Sequence, residues 1–126
     1  VAEGKSIEEA FKESAMALKE VIVDKAKIKS ITKKEINVQG KDKEALLMEF
    51  LQEFLYLVDA KNFILSKIDE LTINEDGKGL KLNSVVIGDK ASNYKFTNEV
   101  KAVTYNDMSI KEDAKGKTTI QFVLDV

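Results

Sequence analysis

Between Ser6 and Asp24 the apolar positions fall at Ile7, Phe11, Ser14 or Ala15, Leu18 and Ile22, the spacing of a helix that buries one face. Ser6, with Glu9 three residues later, is the capping-box signature that starts such a helix. The stronger helical signal is "DKEALLMEFLQEFLYLVD", where Asp42 serves as N-cap. There Leu46, Leu47, Phe50, Leu51, Phe54, Leu55 and Val58 form a wide apolar face, with Glu49, Gln52 and Glu53 opposite as the solvent side. A face that wide predicts burial between a sheet and the first helix. Elsewhere the period shortens to two. "KKEINVQG" alternates Ile36 and Val38 with polar neighbours. "FILSKIDELTIN" and "GLKLNSVVIGD" flank the turn signal "EDGKG", and "EVKAVTYNDMSIK" and "TTIQFVLDV" flank "EDAKG". "KASNYKFT" reads as loop. Val1 to Gly4 read as the tail of a strand, and with no initiator methionine the expectation is that an N-terminal strand is missing before Val1. Residues 1–126 thus read as one α+β domain, a largely antiparallel sheet of about five or six strands with two helices packed on one face.

The last two strands pose a register question. If they form a hairpin with unbroken alternation, Val100, Ala102, Met108 and Ile110 share the core face with Ile120, Phe122, Leu124 and Val126. Lys101, Val103 and Tyr105 then share the opposite face with Gln121, Val123 and Asp125. Lys101 falls opposite or diagonal to Asp125, within cross-strand reach. An exposed pair of that kind is worth about 0 to 1 kcal/mol and requires no function, so patterning leaves the role of Lys101 open.

Composition narrows the chemistry. The fractions of 44% hydrophobic and 33% charged residues describe an ordinary soluble globular protein, with no apolar run long enough for a membrane span and no signal peptide. The chain has no cysteine and no histidine, which removes thiolate chemistry, the usual general base near neutral pH and the commonest zinc ligand. Every basic residue is a lysine, so no guanidinium fork exists for phosphate or guanine edges. With a net charge of −2, that weighs against direct RNA binding, although Lys25, Lys27, Lys29, Lys33 and Lys34 form a mild basic stretch. "EDGKG" lacks the spacing of a phosphate-binding loop.

"NEVKAVTYND" followed by the ending "FVLDV" resembles the archease family, in which a Glu-Val-Lys-Ala-Val-Thr-aromatic strand precedes a Leu-Asp-aliphatic ending. "SIEEAFKESAMALKEVIVD" is similar to the family's first helix and "LLMEFLQEFLYLVDAKNFIL" to its second, so the likeness runs over nearly the whole chain in the right order. Archeases are accessory proteins of the RtcB-type RNA ligase, which seals tRNA exon halves. The resemblance therefore implies a cytoplasmic ligase activator in tRNA splicing, with no turnover of its own, that promotes guanylylation and repeated cycles. GTP would act through the ligase. It also implies a functional tip made of Lys101 and Asp125; Tyr105, on the same outer face as Lys101, is a candidate contact residue of that tip, with packing beside its β-branched neighbour as the other reading. A divalent ion, calcium or similar, would be held by Asp125, an oxygen of Val126 and an N-terminal acidic ligand that this chain lacks. The Asp-His-Thr-Ala-Asp-like motif of the family does not precede Val1, and Asn106 stands where the family often has histidine. Two other classes stay open: a general protein-interaction or chaperone-like module, and a metal-dependent hydrolase, the latter disfavoured by the missing histidine.

Overall fold

The computed structural model describes residues 1–24 and 27–126. Helix α1 (Ile7–Ile22) starts where the sequence says it should. The Ser6 hydroxyl accepts a hydrogen bond from the Glu9 amide at 3.2 Å, and Glu8 and Glu9 bring negative charge to the positive end of the helix dipole. Ala10, Phe11, Ser14, Ala15, Leu18 and Ile22 are buried, and the Ser14 hydroxyl, cut off from water, donates back to the Ala10 carbonyl at 2.9 Å. Helix α2 (Lys43–Lys61) is capped by Asp42, whose carboxylate accepts from the Ala45 amide at 2.8 Å. It ends at Asn62, which takes the left-handed conformation (φ 51°) that asparagine tolerates better than most residues. Its buried side chains include Leu46, Leu47, Phe50, Leu51, Phe54 and Leu55, while Glu49 and Gln52 are exposed.

Six strands follow the periodicity: β1 (Ala2–Gly4), β2 (Thr32–Gly40), β3 (Phe63–Asp76), β4 (Gly79–Lys90), β5 (Ala102–Glu112) and β6 (Thr118–Asp125). All their pairings are antiparallel. The class is α+β, as the pattern indicates, but the strands divide into two three-stranded sheets, ordered β1-β6-β5 and β2-β4-β3. The division comes from long-range choices that alternation does not encode. β2 pairs with β4 across the whole of α2, and β1 pairs with β6 from opposite ends of the chain. Residues 91–101 then carry the chain from one sheet to the other. In place of two helices laid on one sheet, each helix touches both sheets: α1 contacts β1, β6 and β3, and α2 contacts β2, β3, β4 and β5.

The two helices meet through aromatic rings. Phe11 stacks on Phe50 with centroids 6.0 Å apart, and Phe54 meets Phe50 edge-on at 5.0 Å. One hydrophobic cluster unites both helices and both sheets. Gly4 explains how β1 can end directly under the first turn of α1: a Cβ there would lie 2.8 Å from the carbonyl carbon of Glu9 and closer still to the Ala10 amide. Of the basic stretch, Lys27, Lys29 and Lys33 are exposed and Lys34 is half-buried, whereas Lys25 lies outside the described residues. Among the described residues no helix is long and apolar enough to cross a membrane.

Candidate functional site

The site grows from a defect in the β5–β6 ladder. Ala102, Val103 and Thr104 pair with Asp125, Leu124 and Val123, and pairing resumes with Ser109 opposite Gln121. Tyr105, Asn106, Asp107 and Met108 therefore stand opposite Phe122 alone, a wide bulge on an edge strand. Asp107 takes a left-handed backbone (φ 55°), which aspartate accepts with a local polar partner. The protrusion is pinned at both ends: the Asn106 amide donates to Thr104 Oγ1 at 3.1 Å, and Gln121 Nε2 donates to the Asp107 carbonyl at 3.2 Å. Tyr105, Asn106 and Asp107 are all exposed, Tyr105 at 60%.

The bulge corrects the face assignment drawn from unbroken alternation. The extra residues on β5 are odd in number, so the inward face changes parity across them. Beyond the bulge Ile110 pairs with buried Ile120, as alternation requires. Before it, Val103 is the core residue, 3% exposed and opposite Leu124, while Ala102 is opposite exposed Asp125. Val103 is thus not on the outer face with Val123, and Ala102 does not share the core face with Leu124. The signal was present in the sequence: Asn106-Asp107 is a pair of turn formers within an apparent strand.

Lys101 lies one residue before β5 and is exposed, as are Asp125 and Val126. The Lys101 amide donates to the Asp125 carbonyl at 2.7 Å, so the two residues meet through the main chain. Their side chains do not form an ion pair; the ion pairs found among the described residues are Lys19–Glu20, Lys43–Glu112 and Lys117–Glu3. Lysine and aspartate thus emerge from a fixed backbone with both charged ends available. Exposed Val123 and Val126 flank Asp125 along the chain, which makes the surface partly apolar.

No group of three or more acidic side chains that could hold a metal ion occurs among the described residues. Calcium takes about six to eight oxygens. Asp125 and an oxygen of Val126 by themselves supply fewer than that number.

The segment that leads into Lys101, read from the sequence only as loop, is held along its length. Ala91 to Asn93 form one short 3-10 turn, tied to the end of α2 by the Ala91 amide on the Asn62 carbonyl (3.0 Å) and the Ser92 amide on Asn62 Oδ1 (2.8 Å). The Tyr94 hydroxyl donates to Asp89 Oδ2 at 2.7 Å and accepts from the Lys29 amide at 2.9 Å. Asp89 is buried, and its carboxylate is held below the usual range, first by the Tyr94 hydroxyl and then by the Lys90 amide, against the opposing effect of burial. For the Tyr94 hydroxyl, the Lys29 amide favours ionisation, but burial and the Asp89 carboxylate outweigh it and push its pKa up. Farther along, the Thr97 amide donates to the Ile22 carbonyl at 2.8 Å and Asn98 Nδ2 to the Val21 carbonyl at 2.9 Å. No sequence signal marked Thr97 or Asn98, because their partners lie more than seventy positions away.

The chain as a whole matches the model of the Archease protein family (MTH1598/TM1083) over residues 1–126. It is 38% identical over 125 residues to the protein named archease of Pyrococcus abyssi, covering 98% of this chain and 87% of that protein. Against the archease of Methanosarcina mazei the identity is 31% over 128 residues, covering 100% of this chain and 87% of that one. The solution structure of protein 1598 of Methanobacterium thermoautotrophicum superposes with a TM-score of 0.80 at 26% identity, over 98% of this chain and 88% of that one.

Proposed function

Because this chain belongs to the archease family, we propose that it activates an RtcB-type RNA ligase in tRNA splicing, promoting guanylylation of the ligase and its repeated turnover. The observation that carries the reading is the joining of Lys101 to Asp125 by a 2.7 Å main-chain hydrogen bond at an exposed end of β5 and β6. Guanylylation brings nucleotide phosphates to a protein side chain. A lysine whose backbone is fixed presents a point cation to such phosphates with only its side chain left to order. Asp125, free of an intramolecular ion pair with Lys101, is available to orient a cation or donor of the ligase. Tyr105, at the bulge, supplies a rigid amphipathic contact of the kind that anchors interfaces. The protein turns over nothing itself. GTP acts through the ligase, and direct RNA binding is no part of the mechanism.

The test is multiple-turnover ligation by the cognate ligase with GTP, with and without this protein. Lys101→Ala is expected to reduce stimulation at least about tenfold, the scale of one lost charge-assisted contact of about 1.5–3 kcal/mol. Asp125→Ala should act in the same direction. Undiminished stimulation by both variants would overturn the assignment of the tip. A folded protein that fails to stimulate the ligase but keeps unrelated clients from aggregating would move the reading to a general interaction module.

A further inference from the structure

Lys101 is exposed, yet the backbone on either side of it is fastened. On its C-terminal side β5 begins at Ala102, paired with Asp125. Its own amide is bonded to the Asp125 carbonyl at 2.7 Å. On its N-terminal side the chain is fastened to the end of α1. Thr97 and Asn98 both direct their amides at the Ile22 carbonyl, at 2.8 and 3.4 Å, and Asn98 Nδ2 reaches the Val21 carbonyl at 2.9 Å. In return the Asp24 amide donates to Thr97 Oγ1 at 3.1 Å. The last carbonyls of a helix have no partner within it and must find donors elsewhere. Here a segment more than seventy positions farther along the chain supplies them.

Only Glu99 and Val100 separate the Asn98 anchor from Lys101, and Val100 is buried at 8% exposure. A residue spans at most about 3.3–3.6 Å, so Lys101 stays within a short tether of the Asn98 anchor. Displacing the Lys101 backbone must therefore break the bond to Asp125, withdraw Val100 from the core, or release Asn98 from α1.

We propose that Asn98 is a positioning residue for Lys101: its side-chain bond to the end of α1 sets where the lysine emerges and so sets the efficiency of the tip. This rests on the functional reading above. The side chain of Asn98 itself is exposed, so its truncation leaves the core intact. Glutamine, one methylene longer with the same donor, is the conservative replacement.

The experiment compares Asn98→Ala, Asn98→Gln and Lys101→Ala in two measurements. The first is amide hydrogen exchange of Lys101, followed by NMR on the whole chain. With one neutral hydrogen bond lost, Asn98→Ala should speed exchange at Lys101 roughly three- to tenfold, with Asn98→Gln nearer the parent. The second is ligation against protein concentration. Asn98→Ala should lower maximal stimulation while the half-saturating concentration stays unchanged, since no contact with the ligase has been removed. Glutamine should restore part of the maximum. Unaltered exchange at Lys101 overturns the proposal. So does a faster-exchanging Asn98→Ala that stimulates fully while Lys101→Ala is dead, an outcome that leaves the functional reading standing. Full stimulation by Lys101→Ala removes the functional reading and this one with it.

Discussion

Truncating Val103 to alanine tests the change of parity on which the geometry of the site depends. Val103 is 3% exposed and faces inward opposite Leu124, whereas Val123, opposite Thr104, is 39% exposed. Unbroken alternation would put these two valines on the same outer face. The bulge at Tyr105 to Met108 separates them. Removing two methyl groups from a buried site loses about 0.8 kcal/mol each in transfer free energy. A cavity term brings the total for Val103→Ala to about 2–3 kcal/mol. Val123→Ala, at the surface, should stay within about 0.5 kcal/mol of the parent. In urea, with a slope near 2 kcal/mol/M for a domain of this size, the midpoint should fall by about 1–1.5 M for Val103→Ala and by about 0.25 M or less for Val123→Ala. Equilibrium unfolding followed by circular dichroism measures both, provided the slopes agree. Equal, small shifts for the two variants would refute the bulge and restore the unbroken register.

Two further outcomes follow from the anchors of the helices and of the connecting segment. Asp42→Ala removes the oxygen that accepts the Ala45 amide at 2.8 Å and should lower stability by about 1 kcal/mol, read from the same urea titration. Tyr94→Phe removes the leading cause of the depressed Asp89 pKa. A carboxyl whose folded pKa lies below its unfolded value of about 3.9 lends stability at pH above that value and loses it as pH falls through the folded pKa. The difference in stability between parent and Tyr94→Phe should therefore be fullest at pH 6 to 7 and shrink below about pH 4; a gap that widens on acidification would contradict this.

Both helices were legible because their signals are local. Ser6 and Asp42 cap them within three residues, and the apolar faces repeat within one turn. The turn at Gly77 and Lys78 was legible for the same reason, with Asp76 Oδ1 accepting from the Lys78 amide at 2.9 Å. What could not be read was decided by distant partners. Ile36 alternates identically whether β2 joins one large sheet or only β4, so the split into two sheets left no trace in the pattern. Lys101 and Asp125 were correctly placed as neighbours, but through a backbone bond and not through side chains facing across a strand pair. Thr97 and Asn98 carry no local mark, since a loop residue that caps a remote helix looks like any other polar loop residue.

The order of the strands also has a temporal meaning. The sheet β2-β4-β3 is complete once residue 90 is available, and its β3–β4 pair is a hairpin that closes across two residues. The other sheet pairs Ala2 with Ile120, so residues 3–119 lie within the loop it must close, and its central strand, β6, follows the other five in chain order. Loop closure becomes costlier with length, and pairings between remote segments are slow to form. A chain that ends before β6 already holds every strand of the first sheet while Lys101 still has no Asp125 to bond. The Lys101–Asp125 bond comes into being only with β6, so a chain that stops before that strand does not hold the bond weakly but never acquires it.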